Sequence, residues 1–448
     1  MRCDTKRSGL VGACAGLVLL AAAGAGQARA EIVYNDELVE HLPGPEALYD
    51  PDQGQPQSLL PEPREVLFPG LGLPFEAERL AFRKRLFDQY GLTYGMSYQQ
   101  LAQYATTTLP NRQDWAIGGW AATELTWTPL DRGGDYQGSL VFRGAWRGPV
   151  GGNNPWPAVF GPLNLGLAWS AYEFTSWKSR YEVEDLFWEQ RLGPTFSFRF
   201  GNQAPQQTVN IFRFKDARTS FTASPLAFSE TIPYPAFGAG LSFRWRPAWL
   251  SGLYVNGVLN DMNGNPSQGS LNWSRLKLSQ LFGGIEVGKQ WRRENGEYDQ
   301  LALLVFHAGT RSIFNPETTP NKAGGGFKIL GEKQFGRVVG FAAYTYNTAQ
   351  GGGISTTFSG NTAVAGVALL RLFGLRGEAA VAGMWTRPFP NILPGSGQRD
   401  QWGIETYWNV AVTPNTTLTP GIQLIFDPAF NPRANFVALP QLKFRISL

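Results

Sequence analysis

Cysteine and histidine are nearly absent from this sequence of 448 residues, which contains two of each. The cysteines are Cys3 and Cys14, so the chain after position 14 contains no thiol for a disulfide, a thiolate nucleophile or a Cys-ligated metal. His41 and His307 are the two imidazoles, and they lie far apart in the sequence. We therefore predict no catalytic cysteine, no metal site and no bound cofactor.

Charge is also scarce, because charged residues make up 17% of the chain, whereas aromatic residues make up 13%. The formal net charge is +4, and removal of residues 1–30 would take away four basic residues and one acidic residue, which leaves +1. A protein that binds nucleic acid normally carries a marked excess of positive charge. We therefore predict no nucleic-acid partner.

Long apolar runs are missing after the first thirty residues. Residues 9–26 are apolar, three basic residues precede them, and Ala28-Arg29-Ala30 offers a small-x-small cleavage site, so residues 1–30 are predicted to be a signal peptide. The mature chain would begin at Glu31. A membrane helix needs about 20 mainly apolar residues, and the nearest later run, Val364 to Trp385, contains Arg371, Arg376 and Glu378. If the exported chain spans a membrane, a closed β-sheet is the remaining solution.

The residues that follow the predicted signal differ from the rest of the chain. Residues 31–78 are acidic and rich in proline, and they are predicted to form an extended periplasmic lead segment. Residues 79–91 include Leu80, Phe82, Leu86 and Phe87 at helical spacing and end at Gly91, which is typical of a short amphipathic helix.

The last fifty residues alternate with a period of two, which is typical of β-strands. Trp402 to Val412 has apolar side chains at the even positions, Pro414 and Asn415 favour a turn, and the final strand has Phe444, Ile446 and Leu448 on one face and Lys443 on the other. In a membrane barrel the apolar face is in contact with lipid. We therefore expect an arginine at position 444 to be costly and an arginine at position 443 to be tolerated.

Residues 92–448 contain many such alternating segments, separated by loops rich in Gly, Asn and Pro, among which Gly324-Gly325-Gly326 is read as a loop. Long loops that alternate with short turns are typical of an outer-membrane barrel. The fold class is therefore predicted to be an all-β membrane protein, an antiparallel transmembrane β-barrel with a short N-terminal helix. The length allows roughly 14 to 18 strands, and 16 is the central estimate. A barrel of this size leaves an aqueous channel.

The C-terminal hairpin resembles the carbohydrate-selective porins of the OprB type. The resemblance rests on residues 405–414 (ETYWNVAVTP), on Leu418-Thr419-Pro420 and on residues 423–428 (QLIFDP), and it extends less sharply back to about Leu80. It implies passive diffusion of small sugars such as glucose through the outer membrane of a Gram-negative cell. It also implies contact with outer-membrane lipid and lipopolysaccharide, and with the barrel-assembly machinery through the C-terminal strand. Whether the protein is a monomer or a trimer stays open.

Arginines and glutamates share the polar face of several predicted strands, where both can form hydrogen bonds with sugar hydroxyls. The arginines of this pattern are Arg143, Arg147, Arg199, Arg213, Arg244 and Arg246, and the glutamates are Glu124, Glu286, Glu378 and Glu405. From this set, the candidates for sugar binding are Arg143, Arg147, Arg199, Arg213, Arg244, Glu124 and Glu405. The alternative is that these side chains only pair with one another and with water.

Two other functions stay open at this point. One is a general or anion-leaning diffusion porin, which the same barrel would serve. The other is an outer-membrane barrel enzyme built on His307, although no nucleophile-elbow sequence accompanies this residue.

Overall fold

The computed structural model describes residues 66–151, 155–169, 171, 180–227, 231–235, 237–263, 276–292, 298–310, 321–350, 358–390, 392 and 397–447. The predicted signal peptide, most of the predicted lead segment, His41, Leu448 and Gly351-Gly352-Gly353, which is also predicted from the sequence to be a loop, lie outside the described residues.

Sixteen antiparallel strands form a closed barrel, in which each strand pairs with its neighbours in sequence and β1 pairs with β16. The predicted fold class and strand number are therefore confirmed. The strands are β1 Leu92–Tyr104, β2 Trp115–Leu130, β3 Gly138–Pro149, β4 Arg180–Arg191, β5 Phe196–Gln203, β6 Gly238–Trp245, β7 Leu253–Asp261, β8 Leu281–Arg292, β9 Tyr298–Ala308, β10 Gly324–Phe335, β11 Val338–Asn347, β12 Ser359–Leu370, β13 Gly377–Pro388, β14 Gln401–Thr413, β15 Thr416–Phe426 and β16 Phe436–Ser447.

The alternation in the sequence decides which side chains face outward. On β16, Phe436 and Leu442 face outward and are 44% and 48% exposed. Lys443, the residue after Leu442, faces the interior and is 2% exposed. The same pattern holds on β14, where Trp402 and Ile404 are exposed and Glu405 is buried. An apolar outer face is what a barrel in lipid requires.

Connections of two kinds define the two ends of the barrel. Short turns join β2 to β3, β10 to β11 and β14 to β15 at one end, which we call the short-turn rim, and long connections leave the other end, the long-loop rim.

The prediction that Gly324-Gly325-Gly326 is a loop was wrong, because these residues are the first three of β10. A Cβ on Gly326 would lie 1.9 Å from the carbonyl oxygen of Tyr346, so glycine is required here by the close approach of β11.

The helices are short. Helix α1 spans Glu76–Tyr90, α2 spans Pro157–Val159 and α3 spans Ser224–Ala227, and there are a π-helical turn at Phe160–Leu165 and 3₁₀ turns at Pro205–Gln207 and Leu372–Gly374. Helix α1 ends at Gly91, whose φ of 70° is left-handed and therefore suits glycine. Among the described residues, no helix combines the length and the hydropathy needed to cross a bilayer.

Two of the long connections fold into the barrel instead of extending away from it. We call residues 155–169 together with Ala171 insert A, and residues 204–227 insert B. Both inserts are largely buried, and their apolar side chains form a core inside the barrel together with inward-facing residues of β9 to β16. Insert A contributes Phe160, Leu165, Leu167 and Trp169, insert B contributes Ile211, Phe212, Phe214, Phe221 and Leu226, and the wall contributes Leu330, Phe341, Val364, Tyr407 and Ile425, among others.

Candidate functional site

Charged side chains are concentrated on the inner face of β2 to β6, opposite the apolar part of the wall. Arg143 and Arg147 project inward from β3 and share Glu184 of β4 as an ion-pair partner. The Nε atom of Arg143 lies 3.1 Å from one oxygen of Glu184 and 3.5 Å from Glu124 of β2. Asp185 is a further carboxylate in this group, 4.0 Å from Nη1 of Arg143. Charges of both signs therefore meet inside the barrel within a few ångströms.

The bulge in β4 explains why two consecutive acidic residues face the same way. Arg143 pairs with Asp185, but the next residue, Gly144, pairs with Val183, so Glu184 is the extra residue. In a regular strand Glu184 and Asp185 would point to opposite faces. Both are buried in the interior. Sequence alternation alone did not identify either of them, because a bulge interrupts the parity on which the prediction depended.

Trp120 of β2 is fully buried and lies at the centre of the arginine group. The guanidinium carbons of Arg143, Arg218 and Arg147 lie 4.8, 5.0 and 5.6 Å from the centre of its ring system. Cations over an indole face are attracted by its quadrupole. Arg218 belongs to insert B, so this group joins the insert to the wall. Neither Arg218 nor Trp120 was predicted from the sequence: Arg218 lies outside the strands, and Trp120, although it shares the parity of Glu124 on β2, is not a charged residue.

The other arginines predicted on this wall face inward as well. Arg199 of β5 pairs with Glu189 of β4, with a 3.1 Å distance between Nη2 and Oε2, and its guanidinium lies over Phe187. Arg244 of β6 donates through Nη2 to the carbonyl oxygen of Gln207 in insert B at 2.9 Å. Strand parity therefore placed these two residues and Arg143, Arg147 and Glu124 on the inner face correctly.

Arg213 is different, and its assignment to a strand was wrong. It lies in insert B, where its Nη1 donates to Oε1 of Gln334 at 2.6 Å and its guanidinium stacks 4.0 Å from the ring centre of Tyr298. Its backbone N–H donates to Oε1 of Glu332 at 2.9 Å. The alternation of Ile211, Phe212, Arg213 and Phe214 resembles a strand in sequence. In the structure Ile211, Phe212 and Phe214 all pack in the apolar core, and only Arg213 reaches polar groups of the wall, so the pattern arises without a sheet.

Wall carboxylates hold insert B through its backbone. Glu286 of β8 accepts the N–H of Asn210 at 2.6 Å and that of Ile211, and Glu405 of β14 accepts the N–H groups of Thr222 and Ala223 at 2.7 and 2.9 Å. Each carboxylate thus satisfies two donors that no secondary structure of the insert satisfies. Glu405 was predicted among the sugar-binding candidates. The structure places it on the inner face as expected, but in contact with insert B.

Two lysines complete this attachment. Lys328 of β10 donates to Oδ1 of Asn210 at 2.5 Å, and Lys443 of β16 donates to the carbonyl oxygens of Ala217 and Ser220. Lys443 was expected to project into water and to tolerate replacement by arginine. It is 2% exposed and packed against insert B, so that expectation does not fit its surroundings.

Insert B also carries its own charges. Burial lowers the pKa of Lys215 to about 8, and Glu286 opposes that effect. Burial alone would raise the pKa of Asp216, but the Arg218 guanidinium, whose Nε lies 2.6 Å from Oδ1, holds this pKa at about 2. Asp216 is therefore ionised at neutral pH, and it fixes the position of Arg218 beside Trp120.

Insert A covers the neighbouring part of the interior, toward the long-loop rim. Its Trp169 donates through Nε1 to Oε1 of Gln423 at 3.3 Å, and the N–H of Ala168 donates to Oε1 of Gln401 at 3.1 Å. Ala171 forms an isolated antiparallel bridge with Ala223 of insert B. The two inserts are thus attached both to the β14–β15 wall and to each other.

His307 lies elsewhere. It is exposed on β9 and has the same outward parity as Leu303 and Val305, whereas the buried carboxylates of the site face the interior. No residue of the charged group therefore shares a face of the barrel with this imidazole.

Comparisons with known proteins agree with this architecture. Residues 376–448 match the model of the family described as carbohydrate-selective porin, OprB family, so the resemblance predicted from the C-terminal hairpin is confirmed in the indicated part of the chain. The structure of Pseudomonas putida OprB at high pH is similar over 82% of this chain and 96% of that one, with 13% identity and a TM-score of 0.65. The low-pH structure of the same protein is similar over 83% of this chain and 97% of that one, with 12% identity and a TM-score of 0.49. The structure of Salmonella typhi OmpF in complex with daunomycin is similar over 79% of this chain and 97% of that one, with 11% identity and a TM-score of 0.49. The comparison with curated proteins found no match.

Proposed function

We propose that this chain is a porin of the Gram-negative outer membrane through which small sugars such as glucose diffuse passively. The observation that carries the proposal is the group formed by Arg143, Arg147, Glu124, Glu184 and Asp185, in which both signs of charge meet inside a closed barrel. Planar guanidinium groups and carboxylates together offer donors and acceptors for neighbouring hydroxyls. A neutral solute can exchange hydrogen bonds with such a group, whereas a single ion meets repulsion as well as attraction.

Within this function the predicted binding residues divide into two sets. Arg143, Arg147, Arg199 and Glu124 are proposed to contact the sugar, because they line the charged part of the wall. Arg213, Arg244 and Glu405 are proposed to act indirectly, since their contacts hold insert B in place. Sugar flux requires that each of these interactions be weak, because a tightly held solute cannot leave the channel.

The proposal also covers the membrane around the barrel and the partners of the protein. The outer face contacts membrane lipid and lipopolysaccharide, and β16 is the strand that the barrel-assembly machinery recognises. The protein has no cofactor and no nucleic-acid partner, and it is not an enzyme. The apolar outer face of the barrel and the family match over residues 376–448 support this assignment.

Single-channel recording in planar bilayers tests the proposal. Glucose at millimolar concentration is expected to reduce the ion conductance in a saturable way, because a bound sugar occupies the charged region. Tetraethylene glycol, an uncharged solute without a sugar ring, serves as the control and should reduce conductance only in proportion to its effect on the bulk electrolyte. Equal and non-saturable effects of the two solutes would instead indicate a general diffusion porin.

The two alternatives give different signals in the same preparation. A strong anion preference in the reversal potential, without block by glucose, would indicate an anion-leaning pore. Hydrolysis of a lipid or glycan substrate that disappears in His307→Ala would indicate a barrel enzyme. The exposed position of His307 on the outer face argues against the enzyme.

A further inference from the structure

The chain segment before β1 lies on the outside of the barrel at the short-turn rim. Tyr94 has the outward parity of β1, together with the exposed Met96 and Tyr104. The ring of Phe82 lies 6.3 Å from that of Tyr94, and the guanidinium of Arg83 lies 5.9 Å from the same ring. Helix α1 therefore packs against the outer face of the wall.

The residues before α1 follow the same rim. Leu67 and Phe68 donate their N–H groups to the carbonyl oxygens of Ala411 and Val412 at the end of β14. Asn415, in the turn between β14 and β15, accepts the N–H of Leu73 and donates to Glu76. The segment thus runs along the rim from β14 to β1.

Apolar side chains along this segment are exposed, and one of them, Phe82, also contacts Tyr94 on the outer face of the barrel. The exposed ones are Leu67 at 45%, Phe68 at 52%, Leu71 at 63%, Phe75 at 76%, Phe82 at 46% and Tyr90 at 57%. Such a concentration is unusual on a surface that faces water only. We propose that residues 66–90 lie in the headgroup region of the membrane leaflet at the short-turn rim and insert these side chains into its phospholipid.

Continuity with the outer face of the barrel favours lipid over another occupant. Trp127 and Leu130 of β2, next to α1, are 44% and 50% exposed, and Phe373 in the turn before β13 is 80% exposed. Aromatic and apolar side chains at the end of barrel strands mark the membrane–water boundary. The segment lies at the same level as this boundary. Arg85 on α1 is exposed and supplies positive charge for the phosphate groups, whereas Lys84 is paired with Asp88 at 3.2 Å.

The proposal rests on the membrane location of the barrel but not on sugar transport. It can be tested by spin labelling, because the chain after position 14 contains no cysteine and a single introduced one is unique. Leu71→Cys, Phe75→Cys and Phe82→Cys would each be labelled in the full mature protein reconstituted in phosphatidylethanolamine–phosphatidylglycerol vesicles. Collision rates with oxygen, which enters the bilayer, and with a nickel chelate, which stays in water, then report the depth. Leu303→Cys on the outer wall and Asp135→Cys in the exposed turn after β2 are the lipid and water references.

We expect the three labels to have oxygen-to-nickel ratios between those of the two references, well above that of Asp135→Cys. Ratios equal to that of Asp135→Cys, with Leu303→Cys in lipid, would overturn the proposal and leave the membrane location intact. Dipolar broadening between labels, relieved by dilution with unlabelled protein, would also overturn it, because a second copy would then cover the segment. Access of the nickel chelate to Leu303→Cys would instead refute the membrane location itself.

Discussion

The side chain of Glu405 on β14 accepts a hydrogen bond from the backbone N–H of Thr222 at 2.7 Å, across 183 positions of the sequence. Glu405 is fully buried, and its second oxygen accepts the N–H of Ala223. A charged acceptor that meets two backbone donors forms hydrogen bonds stronger than neutral ones. Together with Glu286, which accepts the N–H groups of Asn210 and Ile211, Glu405 attaches insert B to the wall at two places.

Loss of the Glu405 acceptor should loosen insert B. In Glu405→Leu the N–H groups of Thr222 and Ala223 lose their partner, at a cost of about 1–3 kcal/mol for each buried donor. We expect faster hydrogen exchange in peptides that contain residues 222 and 223, together with a larger and noisier single-channel conductance. The β14 and β15 amides should keep their protection.

Glu405→Gln is the matched control, because the amide keeps one carbonyl oxygen as an acceptor. It should show a smaller increase in exchange than Glu405→Leu. Equal exchange in both variants and the parent protein would mean that apolar packing of Phe212, Phe214 and Phe221, and not this carboxylate, holds the insert.

The barrel could be predicted from the sequence because the period of two is a local property. Each strand from β14 to β16 shows it without reference to any other part of the chain, and the number of strands then follows from the length. The inner face of Arg143, Arg147, Arg199 and Arg244 was predictable for the same reason. Local alternation does not reveal the fold of the inserts.

Long-range contacts explain what the sequence did not reveal. The partners of Asn210 and Thr222 are 76 and 183 residues away, so no spacing in the sequence connects them. The apolar content of insert B also suggested a strand, which is why Arg213 was assigned to one. Likewise, the bulge that turns Glu184 inward is defined by the pairing of β3 with β4 and not by the residues of β4 alone.

Arginine on the outer face of β16 should destabilise the barrel according to its depth. Leu442 lies near the middle of β16 and is 48% exposed to the surroundings of the barrel. Leu442→Arg should cost about 2–4 kcal/mol, and Phe436→Arg, at the long-loop rim, about 0–1 kcal/mol. Phe444, closer to the short-turn rim, should give an intermediate value. Reversible unfolding from lipid vesicles in guanidinium chloride measures these differences, and equal costs at positions 436 and 442 would contradict the proposed membrane position.

Acid should weaken the attachment of insert B through Asp216. The pKa of Asp216 in the folded protein, about 2, is below its ordinary value of 3.8, so its ionised form stabilises the fold. Its contribution to the free energy of unfolding is complete above about pH 4 and disappears as the pH falls through about 2. A pKa shift of this size corresponds to about 2 kcal/mol. Asp216→Asn lacks it, so the variant should show faster exchange than the parent at pH 6 and equal exchange near pH 2, after correction for the intrinsic rate. A difference that does not change between pH 6 and pH 2 would show that ionisation of Asp216 is not its cause.

Removal of a single wall arginine should weaken sugar binding more than it changes the pore. Arg147→Ala should disturb the wall least, because Glu184 keeps Arg143 as its ion-pair partner. Arg199→Ala removes the partner of Glu189, but the side chain of Glu189 is 23% exposed and can be hydrated instead. Loss of one hydrogen bond to a charged group should reduce the affinity for glucose by about 1.5–3 kcal/mol. Glucose block of the conductance gives this affinity, and liposome swelling with glucose and with tetraethylene glycol compares the fluxes.

Arg85→Ala, on α1 outside the barrel, should leave both measurements unchanged. If the wall variants change the fluxes of both solutes in the same proportion, these arginines set only the width of the pore, and their assignment to sugar binding is wrong.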